Sequence, residues 1–239
     1  CLKLVIFAGF YKCLMGKNKL ARFAENKILP NVIQPTREDA LNGFDLKGKW
    51  RTDFFKNDNP IVLELGCGKG EYSVGLAKTF PEKNFIGIDI KGARFWFGAK
   101  EAVENDMKNV AFLRTQIELV DYFFGENEVD EIWITFPDPQ IKYKRTKHRL
   151  THPDFLERYK KFLKPGGIIH LKTDSEFLHG YTLGFLQGAG YEIITAHHDI
   201  YGALEYDPNT PHLRDIKTYY EELFSAKGKT ITYIKFRIN

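Results

Sequence analysis

Short apolar runs alternate along the chain with longer segments whose apolar residues recur at helical spacing. The runs that lead towards such a helical segment are residues 61–63, 84–89, 110–113, 131–135 and 168–172. Two more runs, 191–195 and 231–238, follow near the carboxyl terminus, and the second alternates apolar and polar residues. Repeated strand–helix units give parallel strands, so the pattern predicts an α/β protein. We expect a Rossmann-like, doubly wound, mostly parallel seven-stranded sheet with an antiparallel last strand.

A glycine-rich segment joins the first run to the first helical segment. Residues 64–71 have the sequence ELGCGKGE, with glycine at positions 66, 68 and 70. Glycine accepts a positive φ and carries no Cβ, so a ligand can lie directly against such a backbone. Asp89 ends the second run, nineteen residues after Gly70. A carboxylate at that spacing is placed to accept hydrogen bonds from a ribose, so we predict a nucleoside site.

The acids at both ends of this segment restrict the kind of nucleoside. Glu64 and Glu71 would repel a pyrophosphate but suit a ligand that carries an ammonium or a sulfonium group. S-adenosylmethionine carries both. The alternative is a glycine-rich turn in some other α/β protein, which the segment alone does not exclude.

A second candidate site follows the fourth run. Asp138 lies between Pro137 and Pro139, which have a fixed φ and lack the N–H that a strand needs for its hydrogen bonds, so we expect a stiff loop. The basic run 142–149, KYKRTKHR, comes next and could hold a polyanion. A basic run is also commonly just a solvated surface. Asp174 ends the fifth run and is expected at the same edge of the sheet.

Composition adds little to these motifs. The net charge of +4 and the isoelectric point of about 8.8 permit a nucleic-acid partner without requiring one. The three cysteines, Cys1, Cys13 and Cys67, have no paired spacing, which favours reduced thiols in a cytoplasmic protein. No cluster of histidine and cysteine has zinc-ligand spacing, so we expect no metal.

The chain divides by composition into three parts. Residues 1–14 are apolar but too short for a membrane span, and we expect them to be an extension without function. Residues 15–59 form a basic amino-terminal arm and a leading segment, and residues 60–239 form the catalytic domain. The long segment 196–214 contains two prolines and is expected to move.

Four motifs in this order resemble the bacterial tRNA (guanine-N7-)-methyltransferase family. They are E-x-G-x-G-x-G at 64–70, FPDP at 136–139 with its basic run and Arg149-Leu150, Thr173-Asp174, and T-x-Y-E at 218–221. The similarity covers about residues 17–236. It implies a class I methyltransferase that moves a methyl group from S-adenosylmethionine to N7 of a guanine in the tRNA variable loop, at position 46. It also implies no membrane and a monomer or homodimer.

The same resemblance assigns roles to individual residues. The residues that would hold the cofactor are Glu64, Gly66, Gly68, Gly70, Asp89, Gln116 and Asp138. Asp138 would also be catalytic. The residues that would meet the substrate are Lys142, Asp174, Thr218, Tyr219, Tyr220 and Glu221. Gln140 stands where tryptophan is common in the family, and Gln116 where aspartate is frequent.

Two other functions remain open at this point. One is a methyltransferase that acts on another RNA or on a small molecule. The other is an RNA-binding module that has lost catalysis.

Overall fold

The computed structural model describes residues 19–202 and 212–238, in which eight strands form one sheet. The strands are β1 (Val32–Ile33), β2 (Ile61–Leu65), β3 (Asn84–Ile88), β4 (Val110–Leu113), β5 (Val129–Thr135), β6 (Leu163–Thr173), β7 (Glu192–His197) and β8 (Thr232–Arg237). The helices are α1 (19–25), α2 (Arg37–Asn42), α3 (Glu71–Thr79), α4 (Gly92–Glu104), α5 (Pro153–Tyr159), α6 (Glu176–Gly188), α7 (His212–Asp215) and α8 (Tyr219–Ser225). Trp50–Phe55 form a π-helical turn, and Ile117–Tyr122 and Tyr143–His148 form 3₁₀ turns.

The sheet has the order β1-β4-β3-β2-β5-β6-β8-β7. All neighbours are parallel except β8, which runs antiparallel to both β6 and β7. The predicted fold with its antiparallel last strand is therefore confirmed. The eighth strand is β1, a two-residue edge strand that pairs with β4 and lies within the segment expected to be an arm.

The expected extension 1–14 and part of the segment 196–214 lie outside the described residues. The role predicted for residues 1–14 therefore stays a prediction.

The sheet reverses its winding between β2 and β5. From β2 the chain builds outward through β3 and β4, and from β5 it builds in the other direction through β6. Loops that leave adjacent strands in opposite directions leave a crevice at the carboxyl ends of those strands. The topology therefore places the candidate site beyond β2 and β5.

Both faces of the sheet are covered, which explains the continuous apolar runs. Along β2, Leu63 packs with the leading segment and with α5 and α6, whereas Val62 faces α3 and α4. Side chains alternate between the two faces of a strand, so Glu64 points to the same side as Val62. Glu64 is consequently an acid buried under the start of α3.

The last glycine of the glycine-rich segment is required for packing. Gly70 caps α3 with a φ of 80°, and a Cβ on it would lie 2.5 Å from the ring of Phe112. On the facing helix α4, a Cβ on Gly98 would lie 2.8 Å from the carbonyl oxygen of Lys69 and 3.0 Å from the Cα of Gly70. Two glycines thus let α4 pack directly against the backbone of the loop.

We expect Gly98→Ala to destabilise the protein, because the added methyl group meets backbone atoms that cannot move aside. The loss should be about 1–3 kcal/mol of unfolding free energy, as for other overpacked sites. Gly184→Ala is the matched control, since Gly184 is exposed within α6 and a Cβ there meets nothing within 4 Å. It should stabilise by about 0.5–1 kcal/mol. Urea unfolding of both variants measures this, and equal effects would contradict the packing argument.

Candidate functional site

A cavity of about 740 Å³ opens at the carboxyl ends of the central strands. Its lining comes from the loops after β2, β3, β5 and β6 and from α8. The acids of the lining are Glu64, Glu71, Asp89, Asp138 and Asp174. The bases are Lys69, Lys91, Arg94, His148 and Lys229. Such a volume suits a small organic ligand, and the lining gives it charges of both signs.

The first two glycines of the loop face this cavity. Gly66 and Gly68 have φ values of 79° and 57°. A Cβ on Gly68 would meet nothing within 4 Å, and one on Gly66 would meet only Cδ1 of Ile117, at 3.9 Å. The space above the loop is therefore open, and a ligand can approach the bare backbone.

The carboxylate of Asp89 is fixed at the edge of this space. Its Oδ2 accepts a hydrogen bond of 3.1 Å from the backbone N–H of Gly68, and its Oδ1 accepts one of 2.8 Å from that of Lys91. A carboxylate has about four lone-pair sites, so both oxygens can accept further hydrogen bonds. Asp89 is thus oriented before a ligand arrives and can still accept from a diol.

Glu64 lies at the bottom of the cavity. Its Oε2 accepts from the backbone N–H of Ser73 at 2.8 Å and from the hydroxyl of the same residue, and its Oε1 accepts from the hydroxyl of Thr135. Burial raises the pKa of Glu64 to about 7, although the hydrogen bonds from Ser73 and Thr135 oppose the shift. Near neutral pH this carboxyl group is therefore only partly charged.

Glu71, the second acid of the segment, is partly neutralised. Lys69 Nζ lies 3.7 Å from its Oε1, and the backbone N–H of Tyr219 donates to its Oε2 at 3.0 Å. The sequence analysis treated Glu71 as a free charge beside the ligand. In the structure its carboxylate joins the glycine loop to the start of α8.

The loop that carries Asp138 is strained. Phe136 and Gln140, on either side of the proline–aspartate–proline segment, have φ values of 47° and 46°, which non-glycine residues rarely adopt. The backbone N–H of Gln140 donates to Oδ1 of Asp138 at 3.0 Å. Strain of this kind persists only where the surroundings hold the backbone in place.

Arg149 holds the Asp138 loop. Its guanidinium donates to the carbonyl oxygen of Gln140 at 3.1 and 3.3 Å and lies over the rings of Phe177 and Tyr181 on α6. The side chain is buried. The basic run 142–149 was predicted to hold a polyanion. For Arg149 this prediction is wrong, because its guanidinium faces the protein interior.

The rest of the basic run is exposed. Lys142, Lys144, Arg145 and Lys147 all lie at the surface, and the described part of the chain supplies no carboxylate within ion-pair distance of any of them. Tyr143, within the same run, is 94% exposed. These four cations are therefore available to an external anion.

Asp174 and Thr218 line the cavity and already have partners. Asp174 Oδ2 accepts from Lys229 Nζ at 2.7 Å, and Thr218 Oγ1 accepts from the backbone N–H of Glu221 at 3.1 Å. Thr218 is thus the amino-terminal cap of α8. Lys229 was missed by the sequence analysis, because it lies in a turn with no motif.

Glu221 is buried with an exposed fraction of 0%, and so is the side chain of Lys172 on β6. Lys172 Nζ lies 2.8 Å from Oε2 of Glu221 and donates to the carbonyl oxygens of Leu213 and Ile216 at 2.6 and 3.3 Å. The hydroxyl of Tyr201 donates to Oε1 of Glu221 at 2.7 Å. Burial lowers the pKa of Lys172, and the carboxylate of Glu221 opposes this shift. This ion pair fastens α7 and α8 to the sheet. The buried position of Glu221 therefore favours a structural role, in which Glu221 holds α8 in place, over direct contact with a substrate.

The structure gathers most of the predicted site residues around one cavity. Those in its lining are Glu64, Gly66, Gly68, Asp89, Asp138, Asp174, Thr218 and Tyr220. Those outside the lining are Gly70, Gln116, Lys142, Tyr219 and Glu221. Gln116 is exposed, while the next residue, Ile117, lines the cavity. The sequence analysis did not assign a role to Lys172. The only signal in the sequence is a lysine at the end of an apolar run.

Residues 19–202 and 212–238 contain neither a candidate membrane span nor a candidate metal-binding cluster. In those ranges no helix is long and apolar enough to cross a membrane. They also contain no group of three or more histidine, cysteine, aspartate or glutamate side chains that could hold a metal ion.

Comparison with known proteins gives a family and a fold. A family model described as "Putative methyltransferase" matches residues 58–234. A protein of Christiangramia forsetii named tRNA (guanine-N(7)-)-methyltransferase is 67% identical over 93% of this chain and 99% of its own. One of the same name from Bacteroides fragilis is 54% identical over 93% of this chain and 86% of its own.

Solved structures resemble the chain at the level of the fold. One described as an antibiotic-related methyltransferase has a TM-score of 0.56 and 18% identity, and the match covers 77% of this chain and 90% of that chain. The 16S rRNA methyltransferase KamB also has a TM-score of 0.56, with 13% identity over 76% of this chain and 88% of its own. At these identities the likeness concerns the fold alone.

The raised pKa of Glu64 predicts a stability that depends on pH. Its folded-state pKa of about 7 lies above the unfolded value of 4.5, so its contribution to stability is complete below pH 4.5 and is lost as the pH rises to 7. Glu64→Gln should remove this decline and raise the unfolding free energy at pH 8 by up to about 3 kcal/mol. Urea unfolding between pH 5 and 8 measures it. Exposed Glu104, replaced by glutamine, is the control, and an unchanged pH profile in Glu64→Gln would contradict the assignment.

The pairing of Lys172 with Glu221 predicts a coupled effect of two substitutions. Lys172→Met keeps the length of the side chain but leaves Glu221 as a buried unpaired charge, which should cost about 3–5 kcal/mol. Adding Glu221→Gln removes that charge and retains an acceptor for Tyr201, so the double variant should be more stable than Lys172→Met. Urea unfolding of the two single variants and the double variant gives the coupling free energy. Simple additivity would show that the two residues act separately.

Proposed function

The chain belongs to the tRNA (guanine-N7-)-methyltransferase family, and we propose that it methylates N7 of the guanine at position 46, in the variable loop of tRNA. The support is one cavity that joins an open glycine loop, an oriented Asp89 and the rigid Asp138 loop. The named relatives, at 67% and 54% identity, supply the reaction class. The guanine of the variable loop is proposed from the family resemblance of the four motifs.

We propose S-adenosylmethionine as the methyl donor, because the residues present fit it. Gly66 and Gly68 leave open space above the backbone, and Asp89 has lone pairs available for the ribose hydroxyls. Glu64, in the cavity floor, would face the end of the ligand that carries the ammonium and sulfonium charges. The cofactor would supply an electrophilic methyl group on a positively charged sulfur.

Two other residues would take part in cofactor binding in different ways. Ile117 lines the cavity where the sequence analysis expected Gln116 to meet the adenine, so an apolar contact from Ile117 is the alternative. Gly70 lies outside the lining and would act through the packing of the loop.

Alignment of the reacting atoms is the main requirement of the proposed reaction. Guanine N7 has a lone pair and no proton, so no general base is needed to make it a nucleophile. Holding N7 in line with the methyl group can supply a large share of the rate. The purine gains positive charge during transfer, and a fixed carboxylate beside it would stabilise that charge. Asp138 is exposed in the cavity lining on a loop held by Arg149, which suits this role.

The exposed cations of the basic run would hold the RNA backbone. Lys142, Lys144, Arg145 and Lys147 follow the Asp138 loop directly and are available to phosphate. Asp174, Tyr219 and Tyr220 would meet the nucleoside or its neighbours, and Thr218 and Glu221 would shape the segment from within. A cytoplasmic location and a monomer or homodimer remain predictions.

A single assay tests the proposal against its alternatives. The protein is incubated with methyl-tritiated S-adenosylmethionine and unmodified tRNA, and with the same tRNA carrying 7-deazaguanine at position 46. We expect label in the first and none in the second, because the deaza base lacks the nucleophilic nitrogen. Equal labelling of both would exclude N7 at this position, and no labelling of any RNA would favour a silent binding module.

Asp138→Asn tests the catalytic role. It keeps an acceptor for the backbone N–H of Gln140 but removes the negative charge, so kcat should fall roughly 100-fold while the Kd for the cofactor changes little. Asp106→Asn is the control, since Asp106 is also an exposed aspartate but lies at the opposite edge of the sheet, before β4. Near-normal turnover by Asp138→Asn would remove this carboxylate from the mechanism.

A further inference from the structure

Aromatic rings and cations alternate in a row that reaches the cavity at Lys69. Arg22 of α1 lies over the ring of Phe97 on α4, with 4.4 Å from its Cζ to the ring centroid. Lys69 of the glycine loop lies between Phe97 and Tyr219, with its Nζ at 6.0 and 4.0 Å from the two ring centroids. We call Arg22, Phe97, Lys69 and Tyr219 the aromatic rim. It is assembled from four separate parts of the chain.

The aromatic rim lies outside the apolar cores that cover the two faces of the sheet. Phe97 is 41% exposed and Tyr219 is 48% exposed, although burying such rings would be favourable. Arg22 has no carboxylate within ion-pair distance among the residues that the structure describes. A cation–π pair at the surface contributes little to stability, so stability alone accounts for only part of this arrangement.

The aromatic rim and the basic run lie on opposite faces of the sheet. Helix α4 packs through Phe95 and Ala99 onto the same core as α3. The basic run is joined to the other face, because Arg149 lies over Tyr181 of α6, and Tyr181 packs on the apolar core that contains Leu63. The cavity opens between the two, with Lys69 in its lining on one side and His148 on the other.

We propose that the aromatic rim is a second RNA-binding surface, so that the tRNA strand crosses the mouth of the cavity between the rim and the basic run. The proposal rests on the proposed function, since it takes tRNA as the partner. Arg22 and Lys69 contact phosphates, and an unstacked base lies on the exposed ring of Phe97 or Tyr219. Single-stranded nucleic acid is commonly held by this combination of cations and stacking rings. Two anchors on either side of the cavity would hold the target guanine over Asp138.

The test measures the affinity of the full-length protein for unmodified tRNA over a range of potassium chloride concentrations. Arg22→Gln with Phe97→Leu removes the charge and the ring and leaves a shorter polar side chain and a smaller apolar one in their places. We expect tRNA binding to weaken at least about fivefold, and the slope of log affinity against log salt to fall by about 0.7–0.9 for the lost phosphate contact. Calorimetry should show an unchanged Kd for the cofactor.

Three further variants separate the possible outcomes. Arg22→Lys with Phe97→Tyr keeps charge and ring and should bind tRNA as the wild type does. Lys78→Gln removes the same net charge from a lysine paired with Glu101 at the far end of α3 and should leave the salt slope unchanged. If the double variant does not fold, the slope of log affinity against log salt is measured with Arg22→Gln alone.

Failure of this proposal can be told apart from failure of the proposed function. If the wild type methylates tRNA but the double variant or Arg22→Gln binds it with the wild-type affinity and salt slope, the aromatic rim is a stability feature and the proposal is overturned. If the wild type neither binds nor methylates tRNA, the proposed function itself fails.

Discussion

One buried carboxylate connects the parts of the structure that form the cavity. Glu64 extends from β2, accepts two hydrogen bonds from Ser73 at the start of α3 and a third from Thr135 at the end of β5. The two strands it joins are those between which the sheet reverses its winding. An unpaired carboxyl group in this position would be costly, so the three donors must stay where they are. The glycine loop and the Asp138 loop are therefore fixed relative to each other by a residue below both.

Buried cations outside the cavity support the residues inside it. Arg149 holds the carbonyl oxygen of Gln140 and so fixes a strained loop, and Lys172 holds Glu221 and so fixes α8. In both places the charged group in the interior is paired or hydrogen-bonded, while exposed residues of the same segment line the cavity. Asp138 and Tyr220 can thus face a ligand without relying on that ligand for their position. Rigid support of this kind is what a reaction governed by alignment requires.

The predicted site could be found because its motifs depend on short-range constraints. The glycines at 66, 68 and 70 all have a positive φ, which is a constraint within the loop itself. Asp89 and Asp138 directly follow apolar strands, and the ends of parallel strands meet at one edge of the sheet. These inferences need only local pattern and the rules of α/β topology.

By itself, then, the sequence determined the order of the seven strands β2 to β8, the glycine loop, the edge of the sheet that carries the acids, and a resemblance that named the family. The tertiary structure alone decided which charges are free. It paired Asp174 with Lys229, 55 residues away, buried Glu221 against Lys172, and turned Arg149 inward while its neighbours stayed exposed. It also brought Arg22 and Phe97 beside Lys69 and Tyr219. The physical reason is that a charge is buried or exposed according to contacts between residues far apart in the chain, and no local period or spacing encodes those contacts.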